Sequence, residues 1–159
     1  MAFKLIIPAF PDGGIIPALH SGEGANLSPG LEWLGQPANT KSFTLIVEDP
    51  DAPNGTWNHW LLYDIPCSLH TIAQGHKAGS GGIVSGGIGV NGTNDFGQEG
   101  YGGPCPPKGH GPHRYFFKLY ALDVPSLGLV RGARRADIDR ALEGHVLAEA
   151  RYMGRYERK

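Results

Sequence analysis

The chain is poor in cysteine, in net charge and, at its start, in apolar sequence. The opening MAFKLIIPAFPDGG has neither a long apolar stretch nor a cleavage-like site, so no signal peptide and no membrane span are expected there. Two cysteines, Cys67 and Cys105, are too few for a disulfide framework and suit a reducing compartment, so the expected location is cytoplasmic. Three sequons, at Asn26, Asn54 and Asn91, carry no weight without secretion. The formal charge of −1 leaves no global basic field, which argues against a nucleic-acid partner. Local basic clusters, RGARR at 131–135 and RYERK at 155–159, read as solvated surface.

What is present is glycine, proline and bulky apolar material. The 25 glycines and 13 prolines approach a quarter of the 159 residues, but 40 % of the chain is hydrophobic. That balance predicts one folded, loop-rich, mainly β domain over residues 1–159 rather than a disordered chain. Short strands are expected at Lys4–Ile7 and Leu31–Leu34. Three longer ones are expected in KSFTLIVEDP from Lys41, in WNHWLLYDIP from Trp57 to Ile65, and in HRYFFKLYALD from His113. The turn signal Asn54-Gly55 joins the first two of these. Alternation puts His113, Tyr115, Phe117 and Leu119 on one face of the last.

One helix is expected near the C-terminus. Ile138, Leu142, Val146, Ala150 and Met153 fall at helical spacing, with Gly154 as its stop, although no good N-cap precedes it. Between Gly79 and Gly103, eleven of 25 residues are glycine, with almost no charge. So long an ordered loop tends to be functional, and it is expected to fold tightly over the body.

Three groups of residues could carry chemistry. GIGVNG at 87–92 satisfies GxGxxG but is followed by TNDFGQEGYGG, which cannot open a helix, so dinucleotide binding is not expected. Cys105, His110 and His113 are zinc-ligand types at an unfamiliar spacing. An unreactive, partly buried Cys105 is the plainer alternative, and no metal or other cofactor is expected.

The third group is stronger. EDPDAP sets Asp49 and Asp51 two residues apart at a strand end in a proline-stiffened loop. WNHW sets His59 at the start of the returning strand. GPCPPKGHGPHRYFF delivers His113 and Tyr115 to a third strand end. Singly, His59 reads as a satisfied strand histidine and the aspartates as turn caps. Jointly, they read as one site.

In this combination the sequence resembles the phosphatidylethanolamine-binding protein family, also called Raf kinase inhibitor-like proteins. The matching segments are DPDAP (49–53), HW (59–60) and CPPKGHGPHRYFF (105–117). NLSPGLEW (26–33) and the closing EGHVLAEARYMGRYERK resemble the bacterial and archaeal branch. The resemblance implies a central antiparallel Greek-key sheet with a smaller sheet and peripheral helices. It also implies a small anion pocket, accepting phosphate, acetate or phosphorylethanolamine-like groups, lined by Asp49, Asp51, His59, His113 and Tyr115. Trp57 would sit near its rim, with Cys105 and Pro106 as one edge. Cys105 stands where many eukaryotic members have glycine. The C-terminal segment also departs from the eukaryotic pattern, which weakens the transfer of membrane-lipid and kinase roles.

Acids at an anion site make sense if a carboxylate orients a histidine and favours its imidazolium, whose other nitrogen then donates to phosphate. His113→Ala is expected to weaken binding most, and affinity to rise as pH falls from 8 towards 6. The function expected is non-enzymatic binding of a small anion, with possible regulation of a protein target that the sequence does not name. Inhibition of a kinase or serine protease is one alternative. A metal-independent phosphoester hydrolase is another, set back by the lack of a convincing nucleophile. A homodimer is neither required nor excluded by the sequence.

Overall fold

A computed structural model describes residues 2–77 and 87–159. Residues 79–86 of the glycine-rich stretch therefore lie outside the described residues. The strands are β1 (Lys4–Ile6), β2 (Gly14–Ile15), β3 (Leu31–Leu34), β4 (Ser42–Asp49), β5 (Trp57–Pro66), β6 (Thr71–Ile72), β7 (Val90–Asn91), β8 (His113–Leu122) and β9 (Val146–Tyr156). A 3₁₀ turn occupies Ala18–His20, and the described residues hold one α-helix, α1, over Arg135–Leu142.

Two sheets enclose the main core. The smaller has the order β1-β3-β6 and the larger β2-β9-β8-β4-β5-β7. Among the described residues of the larger sheet only the β2–β9 pair is parallel. After the β4–β5 hairpin the chain returns to pair β8 with β4 rather than β5, a non-neighbour connection of the Greek-key kind.

All eight residues of β4 are buried, because this strand is covered on both faces. Phe43, Leu45 and Val47 join Leu5, Leu31, Trp33 and Ile72 of the small sheet in the main core. Ile46 faces the other way and packs with Ile138 and Leu142 of α1. The Trp33 ring meets Phe43 edge-on at 5.4 Å, a contact worth about 0.5–1.5 kcal/mol beyond the area it buries.

The C-terminal helix is shorter than its spacing predicts. It ends at Leu142, where Gly144 takes a left-handed φ of 78° and turns the chain. Residues Val146–Tyr156 are instead a strand, paired along its length with β8. The same residues also carry period-2 alternation: Ala148, Ala150, Tyr152 and Tyr156 all face the main core. Val146, Ala150 and Met153 fit a helical stripe by coincidence, and an open sheet edge at β8 decides for the strand.

Gly154 is therefore no helix stop. It pairs with Tyr115, and a Cβ there would lie 2.4 Å from Ile16 Cγ1 and 2.6 Å from Phe10 Cε2. At the helix start, Asp137 accepts from the Arg134 backbone N–H at 3.2 Å, which supplies the cap that side-chain chemistry at 134 does not.

Candidate functional site

The β4–β8 register runs from Ser42 opposite Leu122 to Glu48 opposite Phe116, so the end of β4 lies beside the start of β8. This brings Asp49 to His113, residues 64 positions apart: His113 Nδ1 lies 2.7 Å from Asp49 Oδ2. A carboxylate can only accept, so Nδ1 carries the proton. Asp49 Oδ1 accepts from the Asp51 backbone N–H at 2.7 Å, which fixes the plane of the carboxylate. The remaining nitrogen of His113, Nε2, lies 2.6 Å from His110 Nδ1.

His59 reaches the same place through a bulge. Val47 pairs with Trp60 but Glu48 with Asn58, so His59 is the extra residue of β5. Trp60 and Leu62 face the main core, and strict alternation would send His59 to the opposite face with Leu61. The bulge reverses this. Asn58 turns outward to Arg135 and Asp95, while the His59 ring packs edge-on against Tyr115 at 5.1 Å. His59 Nδ1 lies 2.7 Å from the Gly102 carbonyl oxygen, so it donates there. Burial pushes this imidazole below its ordinary pKa, outweighing the upward pull of the Gly102 bond and of Asp49.

Tyr115 lies between the two histidines, its ring 6.5 Å from that of His113. It is 1 % exposed, and its hydroxyl is buried without a hydrogen-bond partner among the described residues. Burial, reinforced by Asp49 and Cys105, raises its pKa and keeps the phenol protonated. An unmade buried bond costs about 1–3 kcal/mol.

These groups line a cavity of about 190 Å³. Its walls are Asp49, His59, His113 and Tyr115 together with Ala52, Pro53, Trp57, Phe96, Cys105, Pro106 and Pro107. Seven of the eight residues expected at the site thus line one hollow. Asp51 is not among its lining residues: its carboxylate accepts from the backbone N–H, Nε and Nη2 of Arg114, each at 2.9 Å. Those bonds to Arg114 hold the Asp51 pKa at about 2. Cys105 is exposed rather than partly buried. Among the described residues no cluster of three or more His, Cys, Asp or Glu is placed to hold a metal ion.

Sequence reasoning missed Phe96 and the carbonyl of Gly102, and weighed His110 only as a zinc-ligand type. Phe96 comes from the glycine-rich segment and packs edge-on against both Trp57 and His59 at 5.4 Å. Asp95 ties that segment to β5 by accepting from the Asn58 backbone N–H at 2.5 Å. Gly102 lets it approach, since a Cβ there would lie 2.6 Å from Phe96 Cδ2. The one signal in sequence was an aromatic residue inside an otherwise side-chain-poor loop. Beyond the site, the basic cluster at 131–135 is not wholly solvated: Arg135 turns in to Glu48 at 3.1 Å and Asn58 at 2.8 Å.

Comparison with known proteins agrees with this architecture. The family model described as phosphatidylethanolamine-binding protein matches residues 6–157. The chain belongs to that family. A UPF0098 protein of Aquifex aeolicus is 46 % identical over 151 residues, covering 94 % of this chain and 85 % of the relative. Another, from Methanothermobacter thermautotrophicus, is 47 % identical over 150 residues, covering 94 % and 95 %.

Two solved structures superpose along the whole fold. Escherichia coli YbcL, described as a new member of the mammalian PEBP family, gives a TM-score of 0.91 at 34 % identity, covering all of both chains. A putative phosphatidylethanolamine-binding protein homolog from Chlamydia trachomatis gives 0.87 at 37 %, covering 99 % of each. The mainly β fold of this family member, with two sheets and a helix near the C-terminus, is shared with both. Among the described residues no helix is long and apolar enough to cross a membrane.

Proposed function

We propose that this family member is a non-enzymatic binding protein whose cavity holds a phosphate or a phosphorylated headgroup. The observation that carries this is the buried, unpartnered hydroxyl of Tyr115 in a cavity walled by two histidines and a carboxylate. A protonated phenol without a partner is a donor waiting for an acceptor, and an oxyanion supplies one.

Asp49 has the orienting task. It accepts from His113 Nδ1 and fixes the ring, so that Nε2 is the nitrogen left to meet the guest. His59, bonded to Gly102 and held neutral by burial, presents Nε2 as an acceptor for the P–OH of a singly protonated phosphate. The apolar rim of Trp57, Phe96 and the prolines excludes water and strengthens these bonds. Charge-assisted bonds of about 1.5–3 kcal/mol each support micromolar to millimolar affinity after association costs.

Binding rather than turnover is favoured because the lining has no serine or threonine hydroxyl among the described residues, and its thiol, Cys105, is flanked by prolines rather than set at a helix N-terminus. The two free cysteines suit a cytoplasmic location. Titration calorimetry with inorganic phosphate tests the proposal: saturable one-site binding is expected, weakened about tenfold in Tyr115→Phe. Equal affinity in that variant overturns it.

A further inference from the structure

The RGARR turn at 131–135 lies outside the anion cavity, yet it is bonded to two segments that wall it. Arg135, the first residue of α1, donates from Nη1 to Asn58 Oδ1 at 2.8 Å and to Glu48 Oε1 at 3.1 Å. Asn58 Nδ2 donates in turn to Asp95 Oδ2 at 3.1 Å, the oxygen that also takes the Asn58 backbone N–H. The Asp95 N–H returns a bond to the Asn58 carbonyl at 2.9 Å. The turn before α1 grips the same glycine-rich segment. Gly132 N–H donates to the Asn91 carbonyl at 2.8 Å, Thr93 N–H to that of Ala133 at 3.0 Å, and Thr93 Oγ1 to that of Gly132 at 2.8 Å.

Asn58 and His59 sit at the bulge of β5, the first turned outward and the second inward. In a regular strand they would exchange faces, because a shift of one residue in register moves each side chain to the other side of the sheet. A bulge leaves one residue out of the ladder, so something else has to favour it. Asn58 is 8 % exposed and has both ends of its amide bonded on the outer face. Turned inward, it would lose Arg135 and Asp95 together and enter an apolar core as an unpaired amide. Asp95 is followed by Phe96, whose ring packs on Trp57 and His59. One set of bonds therefore carries both His59 and Phe96.

We propose that the 131–135 turn is the remote support of the anion cavity, with Arg135 and Asn58 as positioning residues. Acting from the far side of the sheet, they hold the bulge that keeps His59 Nδ1 on the Gly102 carbonyl and leaves Nε2 for the guest. The positioning role stands on the bulge geometry; its effect on affinity rests on the phosphate reading above.

The test reads the histidine tautomers of the full ¹⁵N-labelled chain by proton–nitrogen correlation, together with calorimetry against inorganic phosphate. Arg135→Met removes the guanidinium at nearly constant length. It should abolish the fixed Nδ1–H signature of His59, leave that of His113, which Asp49 holds, and weaken phosphate binding about tenfold. Arg135→Lys, which keeps a charged donor, should restore both to within about threefold. Lys118→Met is the comparison: it removes the other cation on Glu48, 3.2 Å away, and no bond to Asn58, so both readouts should stay. Where Arg135→Met does not fold, Asp95→Ala against Asp95→Asn decides, since only the asparagine keeps an acceptor for the Asn58 N–H. An unchanged His59 tautomer in Arg135→Met, or an equal loss in Lys118→Met, overturns the positioning role. A displaced His59 with unchanged affinity overturns its effect on binding. If the unsubstituted chain fails to bind phosphate, the anion reading falls with that effect, and the His59 signature alone still decides the support.

Discussion

His110 Nδ1 lies 2.6 Å from His113 Nε2, so the one nitrogen of His113 not committed to Asp49 is already engaged. His110 is itself outside the cavity lining. An anion that bonds to His113 must displace it, and the left-handed glycines on either side, Gly109 at φ 73° and Gly111 at φ 88°, give the loop the freedom to yield. His110→Ala should therefore tighten phosphate binding about two- to tenfold, the equivalent of one net hydrogen bond of about 0.5–1.5 kcal/mol no longer displaced. Weaker binding in that variant would mean that His110 contributes the positive charge.

Tyr115→Phe separates stability from function. The variant removes a buried hydroxyl that has no partner, so urea denaturation should show unchanged stability or a gain of about 1 kcal/mol, alongside the loss of phosphate affinity. A loss of 2 kcal/mol or more would show that the hydroxyl is satisfied in solution.

The two aspartates should behave differently. Asp49→Asn removes the charge behind His113 and should weaken phosphate binding about tenfold or more. Asp51→Asn disturbs only a largely exposed pair with Arg114 and should change affinity less than about twofold, with a stability loss within about 1 kcal/mol. Calorimetry and thermal melts on both variants check this.

Acid should destabilise the fold in two windows. Burial lowers the His59 pKa below its ordinary 6.5, so below about that pH the unfolded chain binds a proton that the folded chain refuses, and stability falls until the folded pKa is reached. Asp51 is held at about 2 against an ordinary 3.8, so its contribution, present above 3.8, is lost between those values. Urea midpoints across pH should flatten in the first window in His59→Gln.

The strands were legible because their residues leave little choice. Runs such as SFTLIVED and HRYFFKLYAL are β-branched and aromatic, alternate correctly, and are bounded by proline and glycine. The site was legible as residue types at strand ends stiffened by proline. Periodicity failed in the C-terminal segment, where helical and strand spacings coincide on the same apolar residues and a vacant partner edge chooses between them. It could not foresee that Asp51 spends its carboxylate on Arg114, because that pairing needs the β4 end and the β8 start side by side. Local propensity and spacing thus determined that this is a mainly β chain offering acids, imidazoles and a phenol at its strand ends. Which of them meet was decided in three dimensions, by the β4–β8 register and by a single extra residue that turns His59 inward, since long-range pairing energies leave no local trace in the chain.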